Sequence, residues 1–292
     1  MVLSRVTGWY ERTVARARQG SELVDHGFRA KDRYAASFGG RLAAAIAYYG
    51  FFASFALGLV GYSVLGLLLE RRTELQDTVR RFLAANLPVL QVEDISAGAG
   101  TAGLVGLVGL VLAGLAWVDA LRASQRQIWE LEQEPGNPLL RRAVDVLVLL
   151  GLALLIGASV AVAAGIEWLL RGVPVLRHFG WLLEIGINLV VAVALLAGLP
   201  RLRISPGRLL PAAAAVAVGI LLLNTLGGVY IDRVRHNPAY TVVATAAGLL
   251  VYLYLFHQLL LAGAAWVATA RRGRVRDLAA GSGPEPAGPV GR

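Results

Sequence analysis

Glu184 and Asn188 stand four residues apart in GWLLEIGINLVVAV, an otherwise apolar stretch. Four residues is about one helical turn, so carboxylate and amide share a face. Polar and ionisable groups set in lipid are expensive, and they face a partner, a cavity or the headgroup layer. Glu167 and Asn224 sit in comparable places, near the ends of long apolar runs. Two arrangements satisfy all four residues: an outward-facing polar cavity between neighbouring helices, or helix ends marked in the headgroup layer. His257 and Gln258 lie in the middle of another apolar run, YLYLFHQLLL. A neutral imidazole there can bond across helices or relay a proton. These six residues form the candidate polar cavity.

Other patterns carry less chemistry. Asp119, Arg122 and Arg126 are spaced for a same-face ion pair at the end of a helix. GAGTAG, from Gly98 to Gly103, matches the glycine pattern of dinucleotide sites. That pattern works only between a buried strand and a helix, whereas here QVEDISA precedes it and a long apolar run follows. The four histidines are scattered, and no H-E-x-x-H, G-x-S-x-G or P-loop is present. The chain has no cysteine, which excludes disulfides and thiolate metal sites. We expect no catalytic residues, no metal and no cofactor, and the chain is not expected to be an enzyme.

The elements that must hold these residues follow from composition. Of 292 residues, 57% are hydrophobic and only 16% charged, with a mean hydropathy of +0.61. Soluble domains carry about 25% charged residues. A bilayer core of about 30 Å needs about 20 apolar residues in a helix. Leu42 to Leu69 has no formal charge and starts too far from the N-terminus for a cleaved signal. The expectation is an all-α, polytopic membrane protein with six spans at about 42–69, 95–120, 143–168, 179–199, 209–231 and 239–270. Residues 1–41 form a basic cytoplasmic segment, and residues 271–292, rich in Gly and Pro, a disordered cytoplasmic tail. The net charge is +9, almost all from arginine. Twenty of the 28 basic residues fall on the side of the termini, so the positive-inside rule places both termini in the cytoplasm.

Small residues predict how the spans meet. Gly50, Ser54 and Gly58 line one stripe of the first span, and Gly103, Gly106 and Gly109 recur along the second. Such residues let helix backbones approach closely in lipid. TELQDTVRRFLAANLP places Leu75, Val79, Phe82, Leu83 and Leu87 on one face, which predicts a short amphipathic helix in the first outer loop. Pro135, Gly136, Asn137 and Pro138 predict a tight turn after the second span, whose helix is expected to continue past Trp129.

Three stretches carry a family likeness: RLAAAIAYYGFFASFAL, AWVDALRASQRQIWELEQEPGNPLLRR, and the pair RLLPAAAAVAVGILLLNTLGGVYI with LLVYLYLFHQLLLAGAAWVA. Through these the chain resembles the YihY/BrkB family of bacterial inner-membrane proteins over roughly residues 28 to 270. Where that family carries a proline just after the serine, Phe55 to Leu57 stand here, and Ala265 takes its usual acidic place. The resemblance implies a multi-pass protein of the bacterial inner membrane. It is compatible with a transporter or flippase-like protein for a lipid-like or amphipathic substrate, or with a non-transporting scaffold for envelope partners. The family's legacy label, ribonuclease BN, implies tRNA processing. That needs a positioned acid, base or metal, whereas the predicted cytoplasmic face offers mainly arginines. The expected partners are membrane lipids and a lipid-like substrate, with no nucleic acid; the sequence leaves the oligomeric state open.

Overall fold

The structure, a computed structural model, describes residues 18, 20–71, 92–151, 154, 180–234 and 238–279. It is mostly helical. The long elements are α1 (Glu22–Ala36), α2 (Gly39–Arg71), α3 (Val92–Ile128), α4 (Gly180–Val193), α5 (Pro206–Val234) and α6 (Pro238–Ala268). Residues 138–151 are helical as well. A π turn, Ala194–Gly198, extends α4, and the described residues also include two short strands, β1 (Leu202–Ile204) and β2 (Val275–Asp277). Among the described residues, four helices are long and apolar enough to cross a membrane, over Gly39–Val60, Gly100–Ile128, Pro206–Ile231 and Val243–Ala268; Ile185–Gly198 is a shorter apolar helix. The predicted span at 143–168 and the predicted amphipathic helix at 73–87 fall wholly or mostly outside the described residues.

The chain divides into two compact units. In the first, Ile46–Ala120, the body of α2 meets the first part of α3 along a glycine seam. A Cβ on Gly106 would stand 2.7 Å from Leu59 Cβ, 2.9 Å from the Val60 nitrogen and 3.1 Å from the Ala56 oxygen. The backbones are therefore as close as a glycine allows. Gly103 faces Ser63, and Gly109 faces Ala56 at 3.4 Å. On α2 itself Gly50 is buried, Ser54 donates its hydroxyl to the Gly50 carbonyl at 2.8 Å, and Gly58 faces open space. Gly103, Gly106 and Gly109 of α3 thus meet α2 closely, whereas Gly58 meets nothing among the described residues.

The second unit comprises Met1–Ala45 and Leu121–Arg292. Its core is a ridge of α5 (Ala212, Ala213, Val216, Ala217, Ile220) and a ridge of α6 (Leu260, Leu261, Ala264, Ala265), all buried. Both follow the three- and four-residue spacing of one helical face. Gly219 lies under Leu259 and Gly263 under Val216, so small residues again set the approach. The turn from α1 to α2 passes through Phe38 at φ 55°, and the next residue must be small: a Cβ on Gly39 would strike the Tyr34 ring.

Two expectations are corrected. Helix α3 does not continue past Trp129. It ends at Ile128, with Glu130 at φ 56°, the Leu131 amide donating to the Arg126 carbonyl at 2.9 Å and the Glu130 amide to Gln127 at 3.0 Å. This paired closure satisfies the last carbonyls and stops the helix. The tail is not disordered from residue 271 onward. Val275–Asp277 pairs antiparallel with Leu202–Ile204, in register Leu202↔Asp277, Arg203↔Arg276 and Ile204↔Val275. The strand forms because its neighbour supplies a ladder and its last residue meets a buried charge, and composition reveals neither. The predicted turn at 135–138 is present: Gly136 has φ 76° and Asn137 Oδ1 accepts from the Leu139 amide at 2.8 Å.

Candidate functional site

The end of α3 buries more charge than any apolar core tolerates unaided. Arg122, Gln125 and Arg126 are each at most 2% exposed, and Asp145 is 1% exposed. Arginine offers five donors and stays charged, so each guanidinium must be paired when buried. Arg122 forms an ion pair with Asp145 on the helical stretch 138–151. Arg126 is held from three sides. Its Nε donates to the Glu132 carbonyl at 2.5 Å, and its Nη1 to the Pro200 carbonyl at 3.0 Å. The Asp277 carboxylate accepts from Nη1 at 3.0 Å and from Nη2 at 2.7 Å. That two-pronged geometry is the strong form of an arginine–carboxylate pair.

Further arginines extend the network. Arg201 lies 3.9 Å from Asp145 and donates to the Arg141 carbonyl at 3.4 Å. Burial, followed by the nearby Arg122 charge, holds the Arg201 guanidinium below its ordinary pKa, while Asp145 opposes the shift. Arg208 donates to Val267 at 2.7 Å and to Ala268 at 2.9 Å, the last carbonyls of α6, and lies 5.4 Å from the centroid of the Trp129 ring. A cation there complements the negative end of the helix. The cluster joins α3, α5, α6 and the strand pair at one end of the unit. Gln125, in its midst along α3, makes no hydrogen bond with either amide atom among the described residues.

Helix α1 docks on the same unit. His26 Nε2 and the Trp266 carbonyl are 2.9 Å apart, the two rings stack at 4.1 Å, Arg33 pairs with Glu130, and Gln127 donates to the Ser37 carbonyl at 3.3 Å. Burial, with Tyr254 adding to it, raises the Tyr34 phenol above its ordinary pKa.

The second feature is an apolar groove of about 270 Å³ between α5 and α6, lined by Leu226, Gly227, Tyr230, Gly248, Val251 and Tyr252 among others. A Cβ on Gly248 would strike the Tyr230 ring, and one on Gly227 would stand 3.7 Å from Tyr252. The two glycines let the rings lie close along the helices. Both hydroxyls are satisfied: Tyr230 donates to the Ala244 carbonyl at 2.8 Å and Tyr252 to Asn224 Oδ1 at 2.7 Å.

Of the six sequence candidates, four have side chains among the described residues. Asn224 lies beside the groove through Tyr252. His257 is fully buried, its Nδ1 2.6 Å from the Leu253 carbonyl of its own helix, and Gln258 is half-buried. Asn188 is buried, with no partner for its Nδ2 among the described residues. Glu167 and the Glu184 side chain lie outside the described residues. Sequence reasoning singled out Arg122 and Arg126 but missed their distant partners, Asp145 and Asp277. A signal was available: two arginines at the end of a long apolar helix need counter-charges, and Asp145 and Asp277 are carboxylates isolated in RRAVDVLVLL and RRGRVRDL. No cluster of metal-binding side chains occurs among the described residues.

Over residues 30–286 the chain matches the protein family described as Virulence factor BrkB. It is 28% identical to an uncharacterized protein of Dickeya dadantii (strain 3937) over 294 aligned residues, which cover 91% of this chain and 87% of the relative. It is 26% identical to inner membrane protein YhjD of Escherichia coli (strain K12), over 88% of this chain and 84% of the relative. No solved structure matches.

Proposed function

The chain belongs to the BrkB family of membrane proteins, and from that premise we propose that it is a transporter or flippase-like protein for a lipid-like or amphipathic substrate. Its place is the bacterial inner membrane, as in the name of the Escherichia coli relative. It crosses six times with both termini in the cytoplasm. The excess of arginine on the side of the termini supports that orientation.

The observation that carries the functional reading is the groove between α5 and α6. Its 270 Å³ falls just under the roughly 300–1,000 Å³ of drug-sized ligand pockets. That is room for part of an acyl chain rather than a whole lipid. Its walls are almost entirely apolar, and the hydrogen-bonded pair of Asn224 and Tyr252 lies beside it. An amphipathic molecule meets both surfaces there: a chain on the wall, a polar part near the amide.

The test is loss of inner-leaflet signal from a fluorescent phospholipid in proteoliposomes when a membrane-impermeant quencher is added outside. The wild-type protein should expose the inner pool. Ala247→Leu, which narrows the groove that Ala247 lines, should slow exposure at equal protein content. Identical traces for wild-type and protein-free vesicles would refute transport of such lipids and favour the scaffold reading.

A further inference from the structure

We propose that the exposed face of the β1–β2 pair binds the phosphate of an anionic phospholipid headgroup. The two strands place Arg203 directly opposite Arg276. Leu202 and Ile204 are buried while Arg203 is exposed, and Arg276 is exposed between half-buried neighbours. Both guanidiniums therefore leave from the same outer face. Like charges directly opposite each other destabilise a ladder, and a two-stranded sheet is marginal by itself. The nearby carboxylates are already engaged elsewhere. Asp277 is held by Arg126, Asp25 lies 3.6 Å from Arg271 and Glu22 lies 3.8 Å from Arg272. Arg203, Arg274 and Arg276 are exposed and form no ion pair within the described residues.

Such a pair lacks an anion. A phosphate accepts forked hydrogen bonds from a guanidinium, and one phosphate between two arginines turns their repulsion into a bridge. Position selects the source. Strand β1 lies between Gly198, the last residue of one apolar helix, and Pro206, the first of a candidate span. It stands at the edge of the hydrocarbon, where headgroups lie and where anionic lipid attracts arginine. The inference does not rest on transport, because a scaffold would carry the same site.

The experiment uses the full chain in bilayer nanodiscs holding equal phosphatidylglycerol and phosphatidylcholine, with retained lipids counted by native mass spectrometry. Wild type should retain the anionic lipid in excess, on the order of fivefold per arginine. R203Q/R276Q should lose that excess, whereas R233Q, an exposed arginine near the end of α5, should keep it. In neutral detergent R203Q/R276Q should melt no lower than wild type, since only repulsion is removed. Unchanged retention in R203Q/R276Q would overturn the proposal, as would a lower melting temperature in neutral detergent, which would reveal a protein contact instead. Displacement of the lipid by inorganic phosphate at constant ionic strength would move the assignment from headgroup to free phosphate and overturn it as stated.

Discussion

Replacing Asp277 with alanine strips Arg126 of its only charged partner among the described contacts. The Arg126 side chain is 1% exposed and that of Asp277 6%, so water cannot easily take the carboxylate's place. Two charge-assisted bonds at 3.0 and 2.7 Å are lost, leaving the carbonyls of Glu132 and Pro200. Breaking one side of a buried pair costs about 3–5 kcal/mol, because the remaining charge is left uncompensated. With tenfold for each 1.4 kcal/mol, the tail should open on the order of a hundred- to several-thousandfold more often. Hydrogen exchange reads this directly. The Leu278 amide donates to Arg201 at 2.9 Å and the Ser205 amide to Arg274 at 3.0 Å, and both should lose protection by that factor. Amides in the α5 core around Ala213 to Ala217 should not change. The paired variant R126M/D277L should recover much of the protection, since no lone charge stays buried. Less than tenfold faster exchange in D277A would refute the claim that this ion pair holds the tail.

Gly106→Val should lower the stability of the α2–α3 seam by about 1–3 kcal/mol or more, because its Cβ meets backbone that cannot yield; Gly58→Ala, facing open space, should melt at or above wild type. Gln125→Met should raise the melting temperature: removing a buried amide with no partner recovers about 1–3 kcal/mol, and a fall would reveal a bound water or ligand there. His26→Ala should speed hydrogen exchange across α1 while leaving α5 and α6 protected, since the imidazole both stacks on Trp266 and reaches its carbonyl. An unchanged exchange profile would mean that the ion pairs hold α1 without it.

Much of the architecture was legible because the bilayer imposes a simple rule. A charge-free run such as Leu42 to Leu69 can only be a membrane helix, and the structure places α2 there as 33 residues. The α3 glycines were also readable, since small residues at helical spacing have few uses but close approach. The polar candidates were less so. Glu184 and Asn188 share a helix by spacing alone, but what faces a residue depends on neighbours that spacing does not identify. Asn224 shows the gap: the sequence marks it as polar in an apolar run, and the structure gives it Tyr252, 28 positions away.

By itself the sequence determined the medium, a mostly helical chain with long apolar helices, and the family likeness, because hydropathy and small-residue spacing are local and additive along a chain. The tertiary structure decided where helix α3 stops, that the tail forms a strand, and which carboxylates answer Arg122 and Arg126. Those outcomes depend on pairing across 23 residues in one case and 151 in the other. A buried charge fixes its partner by desolvation, and desolvation exists only once the chain has folded around it.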